Sequence, residues 1–79
     1  MNKVVDPVEI GRRLRILRGI RTRTGVANEV GLSYSALSKY ENGWKVPNDS
    51  TKVRIADYYG TTVQRIFFDP EYDETTLSK

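Results

Sequence analysis

Apolar residues fall along this chain at helical rather than strand spacing. Ile10, Leu14 and Leu17 recur at i, i+4 and i+7 behind Asp6-Pro7, a pair suited to cap and enter a helix that should end near Gly19. Ile16 lies off that stripe, so either the apolar face is broad or one aliphatic side chain stays partly exposed. Val26, Ala27 and Val30 mark a second helix at about 23–30, opened by Thr22 or Thr24 and stopped by Gly31 as a left-handed cap. Gly25 inside it costs about 1 kcal/mol against alanine, so this helix needs tertiary support. Ser33 caps a third helix, about 33–41, with Leu37 and Tyr40 inward and an end at Asn42-Gly43. Asn48 or Asp49 opens a fourth, in which Val53, Ile55, Ala56 and Tyr59 are expected to face the core until Gly60. Thr62 caps a last short helix with Val63, Ile66 and Phe67 inward. No alternation of strand length competes, and the expected fold class is all-α with five compact helices.

With 79 residues there is room for one small core, assigned to residues 1–68. Residues 69–79 lack periodicity and are acidic, and are expected to form a mobile tail. The chain has neither cysteine nor histidine, which excludes disulfide and zinc scaffolds and every histidine-dependent triad or general base. An enzyme is not expected, and no cofactor or metal is called for. No apolar run approaches the length of a membrane span and the N-terminus lacks a signal peptide's apolar region, so a cytoplasmic protein with no membrane partner is expected.

Charge is unevenly placed. Leaving out the four acids and one lysine after Phe68 raises the formal charge from +3 to +6. Arg12, Arg13, Arg15, Arg18, Arg21 and Arg23 lie between Ile10 and Asn28 without one acid, a run that suits a polyanion and equally a solvated helix face.

The spacing around Gly31 separates these readings. Ala27 lies four residues before it and Leu37 six after. Two helices meeting at a short turn need a small residue where they touch, a residue tolerant of positive φ at the turn, and an aliphatic side chain returning to cover the joint. Ala27, Gly31 and Leu37 supply these in order; a plain helical corner with only a packing role is the alternative.

The runs Ile10-Gly11-Arg12-Arg13-Leu14-Arg15-Ile16-Leu17-Arg18, Val26-Ala27-Asn28-Glu29-Val30-Gly31-Leu32-Ser33 and Ser38-Lys39-Tyr40-Glu41-Asn42-Gly43, followed by Pro47, resemble the Cro/C1-type (XRE-family) helix-turn-helix regulators from about Glu9 to Phe68. The resemblance implies a lambda-repressor-like DNA-binding domain whose third helix enters the major groove. By position it makes Ser33, Tyr34, Ser35, Ser38 and Lys39 the base-reading group and puts Asn42 on the phosphate backbone. Side chains near the start of such a helix do project into the groove, where lysine can donate to guanine O6 and N7. Arg23 stands where the family commonly has glutamine; beside a helix N-terminus it remains a candidate phosphate ligand, as do Arg21 and Lys45. Arg13 or Arg18 pairing with Glu41 or Glu29 inside the domain is an equal alternative to DNA contact. Trp44 is expected to pack over the domain edge, with the sugar-phosphate backbone as the other possibility.

The expected function is sequence-specific binding of double-stranded DNA by a small transcription regulator, a repressor occupying a palindromic operator. A weak homodimer is expected, with Ile66, Phe67, Phe68 and Tyr72 as its interface. The rival is a protein-interaction module, antitoxin-like or anti-repressor-like, whose partner is another regulatory protein.

Overall fold

In a computed structural model, which describes residues 5–71, five helices follow one another: α1 (Pro7–Arg18), α2 (Arg23–Val30), α3 (Tyr34–Glu41), α4 (Asp49–Tyr59) and α5 (Gln64–Phe68). The first four begin with the caps the sequence provides. Asp6, Thr22, Ser33 and Asn48 have extended backbones, and their side-chain oxygens accept from the N–H groups of Glu9, Gly25, Ala36 and Thr51 at 2.9–3.0 Å. α5 is a single wider, π-type turn, with Thr62 accepting from Arg65 N–H at 3.1 Å.

One core joins the helices. Ile10 and Leu14 from α1, Val26 and Ala27 from α2, Leu37 from α3, Ile55 and Ala56 from α4, and Ile66 and Phe67 from α5 are all buried. α2 and α3 have eight residues each, too short to persist alone, so this burial holds them. Leu17, expected on the buried stripe, is only partly covered, and Ile16 is exposed as its off-stripe position suggests.

Three placements differ from expectation. Val53 is 49% exposed: Thr51 and Ile55 hold the buried face of α4, and a residue two positions from each lies about 200° round the helix. Trp44 does not pack over the domain edge but stands 77% exposed. Ile66 and Phe67 are fully consumed by the core, which removes them from the expected dimer interface and leaves Phe68, half exposed with the Lys52 ammonium 4.8 Å from its ring centroid. Tyr72 lies outside the described residues, as does most of the acidic tail.

Arginines do much of the joining. Arg13 is buried, and its guanidinium bonds Glu9 at 3.0 Å and donates to the carbonyls of Arg65 and Ile66 at 2.9 and 3.1 Å, fastening α1 to α5. Arg54 donates to the carbonyls of Val30 and Gly31 at the end of α2. Glu9 also bonds Arg12, and the Arg12 guanidinium, seconded by Arg13 against partial burial, pulls its carboxyl from 4.5 down to about 2. The folded pKa is below the unfolded one, so this contribution is present above about pH 4.5 and is lost as pH falls toward 2. Between those values the melting temperature should fall less steeply in Glu9→Gln than in the parent, which thermal melts at stepped pH will check; parallel slopes would remove Glu9 from the acid response.

Candidate nucleic-acid interface

α2 and α3 meet at the corner that the spacing around Gly31 predicts. Gly31 takes φ 87° and ψ 35°, a left-handed conformation that costs a side-chain-bearing residue energy. Its N–H and that of Leu32 donate to the Ala27 carbonyl at 2.9 and 2.8 Å, closing α2. Ala27 and Leu37 are buried at the joint.

This corner fixes which side of α3 faces outward. Leu37, Tyr40 and Glu41 take the buried side; Tyr34, Ser35 and Lys39 are exposed on the other. Not every expected reader is displayed equally. The Ser33 hydroxyl oxygen accepts the capping bond of α3, and the Ser38 hydroxyl oxygen is buried despite its place one turn beyond Tyr34. Asn42 and Lys45 are exposed just past the end of α3.

Under this surface lies a charge cluster. Glu41 is entirely buried. Its carboxylate accepts from Arg18 Nε at 2.9 Å and from a second Arg18 nitrogen at 3.1 Å, and from Arg23 Nε at 2.7 Å. Its backbone carbonyl accepts from Arg15. One carboxylate thus ties α1, the start of α2 and the end of α3, and two opposing cations supply the pairing that a buried charge requires. Arg23 sits at the first position of α2 as expected, but its guanidinium is turned to Glu41, which gives it a structural role where a phosphate ligand was anticipated. Arg18 resolves the open alternative in the same way. Arg23 also pulls the exposed Tyr34 hydroxyl to a lower pKa, while Glu41 foremost and Tyr34 next raise that of Arg23.

Beside the cluster, Arg21 lies over the rings of Tyr58 and Tyr59, 5.4 and 6.0 Å from their centroids. Burial, with the Glu41 charge adding to it, pushes the Tyr59 hydroxyl up to about 12. The arginine run is therefore largely an internal fastening. Lys39 on α3 and Lys45 just past its end are exposed cations, while exposed Arg15 is held by the Glu41 carbonyl and exposed Arg21 by the tyrosine rings of α4. The signal sequence reasoning missed is Gly11, an unexplained glycine inside the apolar stripe of α1: a Cβ there would lie 2.3 Å from the Glu41 carbonyl oxygen. Among the described residues no group of three Asp or Glu could hold a metal ion, and no helix is long and apolar enough to cross a membrane.

Residues 9–66 match the family described as a helix-turn-helix domain. Among solved structures, the SOS-response transcriptional repressor LexA from Eubacterium rectale superposes with a TM-score of 0.77 at 17% identity, over 92% of this chain and 80% of that one. The restriction-modification controller protein C.AhdI from Aeromonas hydrophila gives 0.68 at 24% identity, over 76% and 94%. The DNA-binding domain of the P22 C2 repressor gives 0.73 at 17% identity, over 94% and 99%. At these identities the likeness is one of fold, and it is the fold of lambda-repressor-like domains. A search of curated proteins finds no match.

Proposed function

Because this chain belongs to the helix-turn-helix domain family, of the Cro/C1 type, we propose that it binds double-stranded DNA and regulates transcription by occupying an operator. The observation that carries the reading is the division of α3 into a face locked to the core and a face presenting Tyr34, Ser35 and Lys39 side by side. Lys39 can donate to guanine O6 and N7, Ser35 can pair with several base edges, and Tyr34 can press on a thymine methyl or reach phosphate. Ser33 contributes mainly by capping the helix start, where its hydroxyl oxygen accepts from the Ala36 N–H, while the buried Ser38 hydroxyl is withdrawn from the exposed face. Asn42, Lys45 and Arg21 are assigned to phosphate, where they set register without reading sequence.

A single reading helix spans few base pairs, so the operator is proposed to be an inverted repeat bound by two copies about one helical turn apart, with Phe68 at the contact between them. The structural neighbours that carry repressor names support the regulatory part of this reading.

The test is a titration of labelled duplexes selected from a random pool. Alanine at Tyr34, Ser35 or Lys39 should cost about 1–3 kcal/mol on the selected site and relax its base preference, while thermal melts stay within about 0.5 kcal/mol of the parent because all three are exposed. Undiminished selectivity in the triple variant would remove α3 as the reader. A parent protein that binds no duplex would favour the protein-interaction reading.

A further inference from the structure

Trp44 is the only tryptophan of the chain, and although it is exposed its mounting is rigid. The N–H groups of Asn42, Gly43 and Trp44 donate in succession to the carbonyls of Ser38, Tyr40 and Lys39, at 2.9, 3.2 and 2.9 Å. The backbone of Trp44 is thereby fixed to the end of α3, so the Cα that carries the indole keeps a set position relative to that helix. Val8 and Val46 are exposed as well, and the backbone of Val8 lies against Gly43, the residue before Trp44. Exposed Asn42 and Lys45 stand on either side of Trp44 in the chain.

A surface with an apolar plate, one N–H donor and a neighbouring ammonium matches a strand of nucleic-acid backbone, which alternates carbon-bound deoxyribose faces with anionic oxygens. An indole has that composition: a large apolar face and a single N–H that only donates. We propose that Trp44 packs on the sugar-phosphate backbone flanking the groove that α3 enters, its Nε1–H donating to a phosphate oxygen while Lys45 pairs with that phosphate or the next. The inference rests on the DNA-binding reading above and adds a contact that fixes how deeply and at what angle α3 is seated.

The emission of Trp44 is unmixed, so acrylamide quenching reads its exposure directly. The probe is a short fluorescein-labelled duplex of mixed sequence at low salt, its binding followed independently by anisotropy. On saturation the quenching constant should fall several-fold. Trp44→Ala should bind about tenfold more weakly to every sequence alike, since it loses a hydrogen bond to a charged group, with an unchanged salt slope and an unchanged melting temperature. Trp44→Phe, which keeps a plate and loses the donor, should fall between. Lys45→Ala should instead lower the log–log salt slope by about one. Duplex bound with the indole as open to acrylamide as before would overturn the inference and leave the DNA reading standing. Protection that grows with protein concentration alone would overturn it in favour of a second copy on this face. If anisotropy shows no binding by the parent protein, the DNA reading fails and this contact fails with it.

Discussion

Gly11→Ala is expected to cost about 2 kcal/mol or more, a clash with backbone atoms at the top of the overpacking range less the helix propensity gained, against the roughly 4–12 kcal/mol that holds a domain of this size together. The added Cβ would sit 2.3 Å from the Glu41 carbonyl oxygen, 2.8 Å from its carbon and 2.9 Å from the Tyr40 oxygen. All three are backbone atoms, so no rotamer change relieves the clash and α1 must move off α3. Overpacking of this kind ordinarily costs 1–3 kcal/mol, and about 1 kcal/mol of helix propensity gained by alanine works in the other direction. The sign of the result is therefore informative. Urea unfolding should show a clearly lower midpoint, and a variant as stable as the parent would mean that α1 and α3 do not approach at Gly11.

Glu41→Ala is the second large effect, expected at about 3–5 kcal/mol. The carboxylate is buried and its partners are mostly so, with Arg18 and Arg23 side chains 18% and 26% exposed. Removing the anion leaves two half-buried cations facing each other, and breaking such a cluster from one side costs more than its net contribution. Arg23→Ala alone should cost much less, because Arg18 still neutralises Glu41. Adding Arg23→Ala to Glu41→Ala should then recover part of the loss. Denaturant melts of the four proteins in this cycle check it, and simple addition of the two single losses would contradict the shared-carboxylate account.

How much of this could be read beforehand follows from the reach of each interaction. The caps Asp6, Thr22, Ser33 and Asn48 and the Ala27, Gly31, Leu37 corner were legible because their determinants lie within a few residues of one another. So was the outward face of α3, since Leu37 and Tyr40 settle its inward one. The arginine run was legible only in part. Its six members suggested a polyanion or a solvated face, with Arg18 to Glu41 as one internal pairing among several; Arg18 and Arg23 both find that acid, 23 and 18 residues on, and Arg13 reaches carbonyls 52 and 53 residues away. Charge counted along the chain carries no information about such partners. Val53 went wrong for a smaller reason. Four apolar residues within seven positions of α4 exceed what one stripe can hold, and buried Thr51 decided the register. Gly11 was the overlooked clue: a glycine beside Ile10 in the buried stripe has no local use, and the close approach of another backbone accounts for it.

The central claim is that α3 carries sequence information to DNA. Its most direct test is selection of duplexes from a random pool by the parent protein and by a variant with alanine at Tyr34, Ser35 and Lys39, each at more than one salt concentration. The account predicts a defined motif with inverted symmetry for the parent. For the variant it predicts retained, salt-sensitive binding with the motif lost. The same motif recovered with both proteins, or none with the parent, would contradict it.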